Sequence, residues 1–242
     1  SLLIATTDKD MQQEIIENMF SAMEKLEENG FRPCSHLVLT AYVIGRYGSA
    51  RKQDDIVYKL KESYILLKEK YNNITNEDDY LLCALWSINN IEVEVVNDFI
   101  ENVYDHVADY NIRTKNGVQG LSNAMILNGS SGHMYRNMEF LLQLQKRDIK
   151  IANQFLPLVG VLSNTNPRRT VDLVEGVIED LCDKEAEYEF YLDKGFRTII
   201  AVVIVSFCTI SDKRRYIDEL LAHGVISFIN SKNKGIFEEA LS

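Results

Sequence analysis

The first residues able to do chemistry are Cys34-Ser35-His36, which set a thiol, a hydroxyl and an imidazole side by side. A nucleophilic cysteine needs a base within hydrogen-bond reach and an oxyanion site. Adjacent residues on a loop entering a helix point in different directions, so this trio argues poorly for a catalytic pair. A second set is spread more widely. Ser35, Asn116 and Asn153 occupy matching places at the starts of apolar helices, with His36 and Gln154 beside the first and third. Gln119 lies one turn into the second helix, and Asn123 one turn further. Small oxygen-bearing side chains at such places satisfy the free backbone N–H groups of a helix start. Were several helix starts to converge on a groove, their positive dipole ends would also favour an anionic group or a peptide carboxylate. Ser35, His36, Asn116, Gln119, Asn123, Asn153 and Gln154 are therefore the candidate binding residues. No catalytic residue is assigned.

Asp105, His106 and Asp109 share a helix, with the two acids one turn apart. Two carboxylates and a neighbouring imidazole are an incomplete ligand set, so they read as an exposed helix face and no metal is expected. Gly129-Ser130-Ser131-Gly132, with Arg136 one turn on, resembles a phosphate cradle but lacks the Lys-Ser/Thr ending of a P-loop. It reads as a connector. No GxSxG, HExxH, GxGxxG or EF-hand loop occurs, so no cofactor is expected.

The elements that would position these residues follow a recurring pattern. Phe31-Arg32 leads through Ser35 into an apolar helix ending near Gly45. Ile112-Arg113 leads through Asn116 to near Asn128, and Ile149-Lys150 through Asn153 to near Ser163. Phe196-Arg197 runs straight into a fourth helix. Repetition at this scale implies stacked helical hairpins, none able to bury its apolar face alone.

Between these copies the spacing stays helical. Met11, Ile15, Ile16, Met19, Phe20, Met23 and Leu26 recur at three- and four-residue steps up to a stop at Gly30. Ile56, Leu60, Tyr64, Leu67 and Tyr71 line one face of a long helix. Thr75 with Asp78 resembles a capping box before Leu81 to Trp86. Pro157 is expected to kink its helix or delay its start, and Pro167 to sit in a first turn. Ser211-Asp212 is expected to cap a helix running to Gly224. Ile199 to Ile210 reads as a central buried helix, too short for a membrane span, which needs roughly 20 residues.

The 242 residues carry a net charge of -10, with only three prolines. So acidic a chain would need a concentrated basic patch to neutralise phosphates, and Arg168-Arg169 and Lys213-Arg214-Arg215 are short. Nucleic acid and anionic membrane surfaces are therefore not expected partners. Cys34, Cys83, Cys182 and Cys208 fit neither a zinc spacing nor CxxC. They read as reduced, mostly buried thiols of a cytoplasmic protein. Leu2-Leu3-Ile4-Ala5 is too short for a signal core, and the chain is expected to lack an N-terminal segment.

Around the second repeat helix, Asn116, Val118, Gln119, Leu121, Ser122, Met125 and Leu127 resemble a signature of a bacterial family of uncharacterised helical proteins. That family is the domain of unknown function number four thousand and three. Asp78-Asp79-Tyr80 and Gly30-Phe31, each before an apolar helix, are similar to further family elements. The likeness spans nearly the whole chain and implies an all-helical fold. It brings no activity, cofactor or catalytic residue.

The expected fold is all-α, with antiparallel helical hairpins stacked as a repeat-like superhelical array. Residues 1–242 would form one domain, with 129–132 as the place where it could divide. The expected function is a cytoplasmic protein- or peptide-binding scaffold, by fold-level analogy. The alternative is an enzyme or small-molecule binder with a site between helices. A deep pocket lined by His36, Gln119 or Asn123 would favour the alternative, and a broad apolar groove the scaffold. Tyr188, Phe190 and Tyr191, interleaved with acids, form one candidate contact surface, unless an amphipathic helix buries them.

Overall fold

In the computed structural model, residues 2–5, 7–107, 115–127, 132–160, 165–188, 190–209 and 216–233 are described. Their regular structure is helical, with no strand among them. The chain folds as two compact units, Ser1–Glu101 and Asn102–Ser242. The connector at 129–131 and the proposed cap at Ser211-Asp212 lie outside the described residues.

The first unit holds α1 (Leu2–Ala5), α2 (Lys9–Glu28), α3 (Ser35–Tyr47), α4 (Gln53–Lys70), α5 (Tyr80–Ile88) and the start of α6 (Val93–Val107). Its centre is α5, apolar around its whole circumference and buried from Tyr80 to Ser87, as such a helix must be. It packs on both α3 and α4, while α2 packs on α3 and α4. Leu26, Leu37, Ile44, Leu60, Leu81, Leu85 and Trp86 are fully buried between them. Gln53, the first residue of α4 and fully buried, ties that helix to α2. Its Nε2 donates to the Asn18 carbonyl at 3.0 Å, and its Oε1 accepts from Ser21 Oγ at 2.9 Å.

The second unit holds α7 (Lys115–Ile126), α8 (Gly132–Lys146), α9 (Leu156–Gly160), α10 (Pro167–Tyr188), α11 (Lys194–Thr209) and α12 (Ile217–Asn233). Here α7 packs on α9, and α10 on α8 and α11. The 3-10 turn Asn153–Phe155 packs against α7 and α12. Phe196 lies 4.9 Å from Phe228, edge to face, and 6.4 Å from Phe155. With Ile199 and Ala152 this makes an aromatic-rich core.

Three helices end by one device. Phe31 N–H donates to the Leu26 carbonyl, Ile91 to Trp86 and Ile149 to Leu144, at 3.1, 3.0 and 2.9 Å. The residue before each is left-handed: Gly30 at φ 87°, Asn90 at 52° and Asp148 at 54°. This is the Schellman turn, with an apolar residue just past the left-handed one. Two of the recurring apolar–basic pairs, Phe31-Arg32 and Ile149-Lys150, thus mark helix ends. Ile112-Arg113 lies outside the described residues. Phe196-Arg197 sits in the first turn of α11, behind Asp193, whose Oδ1 accepts from the Gly195 and Phe196 amides at 2.9 and 3.4 Å.

Several boundaries differ from expectation. α3 continues past Gly45 to Tyr47, and α12 past Gly224 to Asn233. Those glycines are points of close approach: a Cβ on Gly45 would stand 2.7 Å from the Met19 amide nitrogen, and one on Gly224 2.4 Å from the Phe155 ring. The helix expected from Asn153 begins as a 3-10 turn and becomes α-helical at Leu156, with Pro157 in its first turn, where no amide donor is needed. Pro167 opens α10 behind Asn166, whose Oδ1 accepts from the Arg169 amide at 3.2 Å. α11 is buried on one side only, since Ile204 and Cys208 are exposed. Cys182 is exposed as well, so the thiols are not mostly buried.

Candidate functional site

Each predicted binding residue has a defined place. In the first unit, Ser35 is exposed as the first residue of α3, while His36 is buried. The cap of α3 is Cys34, in extended backbone, whose Sγ accepts from the Leu37 amide at 3.4 Å. The expected Ser35 cap is therefore displaced by one residue, and the thiol beside His36 serves the helix start. The capping box shifts likewise. Asn76 and Asp79 form it, with the Asn76 amide donating to Asp79 Oδ2 at 3.0 Å, while Thr75 is buried and donates to the Leu67 carbonyl.

In the second unit, Asn116 is the second residue of α7, not a residue preceding it. Gln119 and Asn123 are fully buried on the same helix. Asn153 and Gln154 are half-buried in the 3-10 turn that packs against α7, and the cap of that turn is Ala152, not Asn153. Gln119 and Asn123 therefore share a helix, and the turn bearing Asn153 and Gln154 meets it. Ser35 and His36 belong to the other unit.

Buried hydroxyls are used internally. Thr40, Ser87, Ser122 and Ser206 each donate to the carbonyl four residues back, at 2.6–2.9 Å. Such bonds satisfy the hydroxyl within its own helix. Burial pushes the Cys83 thiol well up, which makes it a poor nucleophile. His106 sits on Asn102 O through Nδ1 at 2.9 Å and meets Tyr135 through Nε2 at 3.2 Å. Asp109 lies outside the described residues, among which no group of three potential ligands could hold a metal ion.

The aromatic stretch after α10 is the feature that stands out. Tyr188, Phe190 and Tyr191 are 66%, 42% and 79% exposed. They are not the core face of an amphipathic helix. Beside them a two-pronged ion pair ties the end of α10 to the start of α11. Arg197 Nε donates to Glu185 Oε1 at 2.6 Å and its NH2 to Oε2 at 2.8 Å, and the same NH2 donates to the Leu192 carbonyl at 3.2 Å. The Phe190 amide donates back to the Glu185 carbonyl at 3.2 Å. Parallel donation from a planar guanidinium to a carboxylate fixes geometry as well as charge. The hydrogen bonds from Arg197 hold the Glu185 carboxyl below its ordinary range, and the carboxylate raises Arg197 in turn. At the helix end, the Lys184 ammonium lies 5.6 Å over the Tyr188 ring and pairs with Glu187. Residues 185 and 197 are twelve apart, and no helical or hairpin spacing links them, so sequence reasoning missed the clasp. The signal available was the cluster of aromatics among acids.

A family model described as a protein of unknown function, DUF4003, matches residues 1–234. No curated protein and no solved structure matches the chain.

Proposed function

We propose that this chain, which belongs to the DUF4003 family of proteins of unknown function, is a protein- or peptide-binding module whose contact surface is the Tyr188–Tyr191 stretch. One observation carries this reading: three large aromatic side chains stand in solvent beside a two-pronged ion pair that ties α10 to α11. Exposed Tyr and Phe on a rigid support resemble the anchors that dominate protein interfaces, because they bring large contact area with little conformational freedom to lose. Scattered exposed hydrophobics need no explanation, but three within four residues are a patch. The paired helices within each unit, read as antiparallel hairpins of a repeat-like array, would supply the rigid frame.

The test is affinity capture from a lysate of the source organism, with the wild-type chain and a Tyr188→Ser/Phe190→Ser/Tyr191→Ser variant compared by quantitative mass spectrometry. Proteins held by the wild type and lost by the variant, with unchanged far-UV circular dichroism, are expected. Equal recovery by both chains overturns the reading.

A further inference from the structure

We infer that the aromatic surface takes a basic polypeptide segment, with Lys or Arg side chains seated on its ring faces between the carboxylates of α10. This rests on the reading of the stretch as a binding surface and adds the chemistry of the partner. Three observations carry it.

The charge around the rings is mostly negative. Glu179, Asp180, Asp183 and Glu187 are all exposed on the last turns of α10, against two exposed lysines: Lys184, which pairs with Glu187, and Lys194 at the start of α11, which pairs with Asp148. Asp180, Asp183 and Glu187 fall at three- and four-residue steps, which places them on one face of the helix leading to Tyr188. Glu185, the remaining carboxylate there, is neutralised by Arg197 and does not add to the field.

The rings are suited to cations, and one already holds one. The Lys184 ammonium over Tyr188 shows the contact that an incoming basic side chain would make. Among the described residues no cation is placed over the ring of Tyr191, the most exposed aromatic of them. A ring face beside carboxylates attracts a cation through its quadrupole and through ordinary charge.

The surface is also flanked by fixed contacts. The Glu185–Arg197 clasp and the Asp193 cap hold residues on either side of the rings, which lowers the ordering that a partner must impose. An acidic partner would meet like charge, and a purely apolar one would leave the carboxylates stripped of water without counter-charge. A segment rich in Lys or Arg meets neither cost.

The experiment is selection of a random-peptide phage library on the immobilised full chain and, in parallel, on a Tyr188→Ser/Tyr191→Ser variant. Both residues are exposed, so the variant keeps the fold. Peptides enriched on the wild type, lost on the variant and rich in Lys and Arg are the expected result. The leading peptide, made synthetically, should bind about tenfold more weakly to an Asp183→Lys/Glu187→Lys chain, and more weakly as salt rises. Enriched, ring-dependent peptides with no excess of basic residues would overturn the basic-partner inference and leave the binding surface standing. No ring-dependent enrichment at all would overturn both.

Discussion

At the scale of single residues, the clasp between Glu185 and Arg197 makes a prediction about acid. Glu185 is titrated at a lower pH in the folded chain than in the unfolded one, where a glutamate has a pKa of about 4.3. The pair therefore contributes stability above that value, and loses it as pH falls through the lower folded-state value. Arg197 stays charged throughout this range and adds no pH dependence. A Glu185→Gln variant should melt below the wild type at neutral pH, and the gap should close as the solution is acidified. A gap that stays constant down to strongly acidic pH would mean that the carboxylate charge does no stabilising there. The clasp was invisible in the sequence because residues on either side of a helix end have no fixed spacing. Caps were legible to within one position. Cys34 and Ser35 are neighbours, as are Thr75 and Asn76, and backbone angles, not side-chain chemistry, decide which of two acceptors faces the free amides.

At the scale of elements, helix existence was legible from apolar spacing, whereas several helix ends were misread at glycine. Gly30 does end α2, in the left-handed region that glycine enters without a Cβ clash. Gly45 and Gly224 look the same in sequence but lie inside helices, where the missing side chain admits a neighbour. Nothing local distinguishes a stop from a contact, since the partner comes from elsewhere in the chain. The consequence is measurable. Gly45→Ala forces a Cβ against the backbone of α2 and should destabilise the fold by about 1–3 kcal/mol. Gly176→Ala, in α10 with no atom within 4 Å of the new Cβ, should instead stabilise it by up to about 1 kcal/mol through helix propensity. Urea titrations of the two variants would read opposite signs, and a matching sign would contradict the close approach at Gly45. The Schellman turns show the converse. Gly, Asn and Asp all serve as the left-handed residue, so the recurring sequence signal was the apolar residue after it.

At the scale of the whole molecule, the all-helical class was plain from few breakers and persistent helical spacing, and the division at Glu101/Asn102 was not. That boundary falls inside α6, where the amphipathic pattern runs on without a break in composition. The single tryptophan, Trp86, is fully buried in α5 and reports on the first unit alone, whereas far-UV circular dichroism reports on both. Each unit has its own buried core, so the two signals should follow different urea curves. Superimposable curves would show that the units melt as one.

Cys182 gives the same surface a handle. Cys83 is buried and Cys34 caps α3, which leaves Cys182 and Cys208 as the exposed thiols among those described. With Cys208 replaced by serine, a maleimide dye would attach at Cys182, one turn before Glu185 and outside the aromatic stretch. Its emission would register occupancy of the neighbouring rings in real time, with every contact residue left in its native form.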